Sequence, residues 1–183
     1  MKTILFIHQS ADLYGSDKTL LYLVKSIKDI ANAIIVVPEE GPLTQEFKNL
    51  NIDVFIIPVI KVSRQLFTSL DFFKLPFEIY KALRVLRKKL GNRKIDLIHS
   101  NTIAVFLGAL YSRKYNIKHI WHVHEIIQKP KIVAKVYPYL VQWFSDCVVF
   151  NSKASANHLY KNKPKLEKKS IIIYNGLDRE EPI

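Results

Sequence analysis

The chain has 183 residues, 49% of them apolar and 24% charged, a composition that excludes wholesale disorder and fits one domain or slightly more. With 28 Lys and Arg against 16 Asp and Glu the net charge is +12, which predicts a polyanionic neighbour: nucleic acid, an anionic membrane surface or phosphorylated substrates. The single cysteine, Cys147, excludes an internal disulfide and any Cys-based zinc or iron–sulfur site and points to the cytosol, and no run reaches the roughly 18 apolar residues of a transmembrane helix.

Short β-branched runs bounded by turn residues predict strands at 3–8, 33–38, 54–58, 95–100, 118–123, 147–151 and 170–174. The first of them, in MKTILFIH, lacks a full signal-peptide apolar region and cleavage site and reads as a strand. Between the strands lie stretches of helical period. Leu20, Leu23, Val24 and Ile27 form one stripe, a short helix follows Gly41-Pro42, and further helices are expected at 75–90, 103–115, 133–144 and 153–161. Strands apolar on both faces that alternate with helices predict an α/β, doubly wound, mostly parallel sheet of about seven strands, Rossmann-like. In such sheets ligands bind beyond the carboxyl ends of the strands, where strand order reverses. That rule selects 8–15, 100–102, 124–125, 151–152 and 175–176.

Each polar feature at that edge has a structural as well as a functional reading. The first strand–helix turn, HQSADLYGSDKTL, has one glycine and matches neither a dinucleotide fingerprint nor a P-loop. Gly15 either permits the turn while Ser16 caps the helix and Asp17 favours its positive end, or the turn offers unpaired N–H groups to a ligand. The run HIWHVHE places His122 and His124 on one face and Glu125 on the other. A metal pair is conceivable there, but no third ligand stands out, so no metal is expected. His124 reads instead as a polar sugar or phosphate contact, with His8 and His99 at neighbouring strand ends. Ser152 is a natural helix cap, compatible with a ligand contact from Asn151 or Ser152.

Between Lys61 and Lys94 ten basic residues face two acidic ones. In the helix of this segment Ile79, Leu83, Leu86 and Leu90 form a core stripe, while Lys81, Arg84, Arg87 and Lys88 lie elsewhere. Upstream stand Leu66, Phe67, Leu70, Phe72, Phe73 and Phe77. Basic, aromatic and amphipathic together predict attachment to an anionic membrane surface; the plain alternative is a solvated basic face. No nucleic-acid motif is present, and none is expected as a partner.

In order, YGSDKTLLYL, Gly41-Pro42-Leu43, DLIHSNT, WHVHE, VVFNSKAS and IIIYNGLD resemble the N-terminal domain of family-4 retaining glycosyltransferases of the GT-B fold. The resemblance runs over nearly the whole chain. It implies that residues 1–174 form the Rossmann-like acceptor-binding half of a GT-B enzyme. Residues 175–183 would begin the linker to a C-terminal donor domain outside this chain. It implies transfer of a sugar from a nucleotide-sugar donor, bound mainly by the other domain, to a sugar or lipid-linked acceptor, with no cofactor and no metal required. Cell-surface polysaccharide or glycolipid synthesis is the expected setting. The location would be cytoplasmic, peripheral on the inner face of the plasma membrane. By resemblance His124 is the cleft histidine near the reaction centre and Gly15 lies in the glycine loop. With Tyr14, Ser16, Asn101, Thr102, Glu125, Asn151 and Ser152 they make up the expected site. Tyr14 stands where the family commonly has the first of two glycines, which narrows the loop. The alternative function is a non-catalytic binding or membrane-recruitment module on the same fold.

Overall fold

The computed structural model describes residues 1–59, 75–102, 105–129 and 131–176. Seven strands form one sheet: β1 (Lys2–Ile7), β2 (Ala31–Val37), β3 (Asp53–Ile56), β4 (Leu97–Ser100), β5 (Lys118–Val123), β6 (Cys147–Phe150) and β7 (Ser170–Ile172). Every pairing is parallel and the order is β3-β2-β1-β4-β5-β6-β7. The helices are α1 (Gly15–Ile27), α2 (Pro42–Asn49), α3 (Leu75–Leu90), α4 (Leu107–Tyr115), α5 (Lys131–Phe144) and α6 (Lys153–Tyr160). A short 3-10 helix at Pro164–Lys169, absent from the sequence reading, leads into β7. The expected doubly wound fold is present, with both halves of the sheet winding outward from the β1–β4 junction.

Alternation along each strand divides the core. Leu5, Ile7, Ile34, Val36 and Ile98 pack with Ala82, Leu86 and Leu90 of α3 and with Leu107 and Tyr111 of α4. The same face continues through Trp121, Val123, Val148 and Phe150 beneath α5 and α6. On the opposite face Phe6, Ile35 and Val37 meet Leu20, Leu21 and Val24 of α1 and Leu43 and Phe47 of α2. No described helix covers the rest of that face. There Leu97, His99, Ile120, His122, Val149, Ile171 and Ile173 line a groove of about 660 Å³.

Caps and turns fix the connections. Asn116 ends α4 in the left-handed conformation, φ 52°, and its N–H donates to Ser112 O. The β2–α2 turn lies against the β1–α1 loop, where Leu43 N–H donates to Ala11 O at 2.9 Å. A Cβ on Gly41 would stand 2.4 Å from that carbonyl oxygen. Because the obstacle is backbone, Gly41→Ala should cost about 2 kcal/mol or more and lower Tm by roughly 4–8 °C. A thermal melt indistinguishable from the parent would refute this contact. The expected helix from 103 begins, in the described residues, at Leu107; 103 and 104 lie outside them, as do Leu66, Phe67, Leu70, Phe72 and Phe73.

Candidate active site at the carboxyl edge of the sheet

The switch point between β1 and β4 brings His8 beside Asn101. His8 follows β1, with its N–H on Val36 O at 2.9 Å, and Asn101 follows β4, with its N–H on Ile7 O at 2.9 Å. Both are fully buried. Around them α1 begins. Its N-cap is Tyr14, not Ser16 as the sequence suggested, and Tyr14 contributes no side-chain cap bond. Asp17 reaches back instead and accepts the Tyr14 N–H at 3.1 Å. The other Asp17 oxygen accepts from His8 Nε2 at 2.5 Å and from Ser10 Oγ at 2.6 Å. Burial raises the Asp17 carboxyl, but these hydrogen bonds and the nearby His8 outweigh it and hold the group below its ordinary value.

Asn101 joins this cluster to β5. Its Nδ2 donates to Ser16 O at 3.0 Å and lies 3.3 Å from His8 Nδ1, while its Oδ1 lies 3.2 Å from His124 Nε2. His124 is half-buried; burial, and secondarily His8, push its pKa down to about 4, so the ring is neutral at neutral pH. Thr102 donates to Glu125 Oε1 at 2.5 Å and its own carbonyl receives the Trp121 indole N–H at 2.7 Å. Burial, then the Glu125 charge, raise the pKa of the Tyr137 hydroxyl. Asn151 Nδ2 lies 3.5 Å from His124 O.

The structure therefore gathers Asn101, Thr102, His124, Glu125, Asn151 and the Ser16 carbonyl at one edge. Tyr14 stands at its rim with a ring 78% exposed. Gly15 opens α1 with φ +23°, and a Cβ there would meet nothing within 4 Å, so only its backbone conformation calls for glycine. Ser152 is committed to the α6 cap, accepting the Ser155 N–H at 3.2 Å. Ser10 and the partnership of His8 with Asp17 were missed by the sequence reading. The available signal was a histidine ending the first strand and an acid three positions after the α1 cap.

The other histidines divide by partner. His119 is a satisfied core residue, with Nδ1 on Phe144 O at 2.7 Å and Nε2 on Ser100 Oγ at 2.9 Å. Among the described residues His99 Nε2 and both His122 nitrogens are buried without a hydrogen bond, and His122 stacks on His124 with ring centroids 4.0 Å apart. Among the described residues no three His, Cys, Asp or Glu side chains converge as a metal-holding group. Burial first, then neighbouring imidazoles, lower His99 to about 3 and His122 to about 2. Below about pH 6.5 the unfolded chain therefore takes up protons that the folded chain refuses, and stability falls as pH drops from there toward about 3. Each histidine contributes roughly 1.4 kcal/mol per pH unit in that window. Thermal melts should show Tm dropping steeply from neutral pH to about pH 4; a flat profile would contradict the burial of these rings.

A concavity of about 960 Å³ lies at the opposite edge of the sheet, near Thr3, Ala31, Asp53 and Arg93. Strand order assigns ligands to the carboxyl edge, and the polar cluster described above is there.

A seven-stranded parallel doubly wound sheet with its polar residues at the switch point defines a Rossmann-like α/β domain. The sequence profile of Glycosyltransferase Family 4 matches residues 13–181, and the chain belongs to that family. Among solved structures it is similar to HepE of Anabaena, crystallised with UDP, at 24% identity over 97% of this chain and 45% of that one, TM-score 0.72. A glycosyltransferase of Rickettsia africae aligns at 19% identity over 97% and 44%, TM-score 0.74. MurG of Acinetobacter baumannii aligns at 15% over 85% and 42%, TM-score 0.59. The chain thus spans less than half the length of these relatives. No curated protein is significantly similar to it in sequence. No described helix is long and apolar enough to cross a membrane.

Proposed function

We propose that this chain is the acceptor-binding half of a retaining sugar transferase, working with a donor-binding domain that follows the linker beginning near Asn175. The observation that carries the reading is the buried chain of side chains ending on neutral His124 at the carboxyl edge of the sheet, in a member of a glycosyltransferase family. HepE, which shares the fold, has been crystallised with UDP-glucose, which favours a nucleotide-sugar donor here. In the proposed reaction the acceptor hydroxyl attacks the anomeric carbon on the side of the departing diphosphate, and a phosphate oxygen takes the hydroxyl proton. The bond from the anomeric carbon to the donor phosphate breaks as the new glycosidic bond forms. His124 and Glu125 hold the sugar and acceptor in place, with buried Asn101 behind His124 orienting its ring, so the contribution of this half is positioning. Incubating the protein joined to its donor domain with a panel of nucleotide-sugars, with and without a membrane extract, tests this. Nucleotide release that depends on one donor and rises with the extract is expected, with product of unchanged anomeric configuration. No release with any donor would favour the non-catalytic module.

The acceptor reading includes a membrane. On α3, Phe77 and Tyr80 are 66% and 52% exposed, and with Lys81, Arg84, Lys88 and Lys114 they line a groove of about 550 Å³. Arg87 lines the same groove, with its Nη1 donating to Gly91 O at 2.9 Å. Each surface cation adds about 1 kcal/mol of attraction to anionic lipid. Lys81→Gln, Arg84→Gln and Lys88→Gln together should weaken sedimentation with phosphatidylserine-containing vesicles roughly a hundredfold. Unchanged sedimentation would remove the membrane from the proposal and leave a solvated basic face.

A further inference from the structure

We propose that Asp17 and His8 act through Asn101 as positioning residues that fix the tautomer of His124, so that its ring offers a lone pair at Nδ1, not an N–H, to whatever binds at the edge. The argument starts from Asn101, whose amide orientation is set by chemistry. Its nitrogen is 3.0 Å from the Ser16 carbonyl, which can only accept, so that nitrogen is the NH2 group. The second amide hydrogen is then directed at His8 Nδ1, 3.3 Å away, which must accept. That nitrogen can accept only if the His8 ring carries its proton on Nε2, and Nε2 is the atom held at 2.5 Å by the Asp17 carboxylate. Asp17 in turn is fixed as an acceptor by the Tyr14 N–H and the Ser10 hydroxyl.

The polarity carries through to the other side of Asn101. With its nitrogen committed twice, its oxygen faces His124 Nε2 at 3.2 Å and can only accept. His124 therefore carries its proton on Nε2 and keeps a lone pair on Nδ1, which makes no hydrogen bond among the described residues. Every member runs in one direction from carboxylate to imidazole, the arrangement in which aligned hydrogen bonds strengthen one another. A carboxylate at one end and a carbonyl at Ser16 both point Asn101 the same way, so the two tautomers of His124 should differ in population by more than tenfold. A lone pair at that edge accepts from a sugar or acceptor hydroxyl, whereas an N–H would repel the hydroxyl's hydrogen. That use rests on the proposed transfer; the tautomer does not.

The test is nitrogen-15 long-range correlation NMR of the uniformly labelled chain at neutral pH, with His124 assigned by the loss of its signals in His124→Gln. The expected result is protonation on Nε2 with no detectable Nδ1–H form. In Asp17→Asn the side-chain oxygen stays with the Tyr14 N–H and the new NH2 faces His8. His8 must then move its proton to Nδ1, and Asn101 is caught between opposing partners. The Nδ1–H form of His124 should rise to about half of the population. Asn101→Ser, too short to bridge the two rings, should also give a mixture and serves if Asp17→Asn does not fold. Protonation of His124 on Nδ1 in the parent, or a parent-like tautomer in either variant, would overturn the proposal. Because the spectrum is read without any sugar, a fixed tautomer combined with no turnover would refute transfer and leave the positioning chain standing.

Discussion

Replacing His124 with alanine in the protein joined to its donor domain is expected to reduce sugar transfer by about a hundredfold, the loss seen when one aligned polar contact to a reacting centre is removed. His124 is half-buried at the end of β5, neutral, and anchored through Asn101 to the switch point of the sheet. Its removal deletes an imidazole whose Nδ1 makes no hydrogen bond among the described residues. It deletes little packing, because β5 is held below it by Trp121 and Val123. The melting temperature should thus stay within a few degrees of the parent while nucleotide release falls. Near-parent turnover would take His124 out of the site.

Trp121→Ala should have the largest effect on stability. The indole is fully buried beneath α4 and α5, meets Phe106 edge-on with ring centroids 5.3 Å apart, and donates to Thr102 O at 2.7 Å. Removing it leaves a cavity in the second half of the core and takes the indole N–H away from the Thr102 carbonyl. Losses of this kind run to about 4 kcal/mol, or roughly 8–16 °C in Tm for a chain of this length. Trp121→Phe keeps much of the volume but not the hydrogen bond, and should lie between. A Tm within about 2 °C of the parent for the alanine variant would contradict the packing described here.

These residues also mark what the sequence made legible. The strand 118–123 was readable to the residue because HIWHV alternates faces inside a β-branched run, and the parallel sheet followed from strands apolar on both sides. His124, Asn101 and Glu125 were reachable because they sit directly after strands, where the topology rule and the family motifs both point. Asp17 was not: one residue in an N-terminal helical turn looks the same whether it faces water or a histidine. Its bond to His8 depends on how β1 and α1 pack, and the contact of His8 with Asn101 joins residues 93 positions apart. The 3-10 helix at Pro164–Lys169 was hidden for a different reason, since PKLEKK is mostly charged and carries no periodic apolar signal; only Leu166 is buried. The bare half of the sheet face was likewise invisible, because strands apolar on both sides do not say which helices cover them.

The most direct test of the central claim is a crystal structure of the protein joined to its donor domain with a nucleotide-sugar bound. The account predicts the sugar at the carboxyl edge of the sheet, with one of its hydroxyls within hydrogen-bond distance of His124. A sugar bound elsewhere, with His124 untouched, would contradict it.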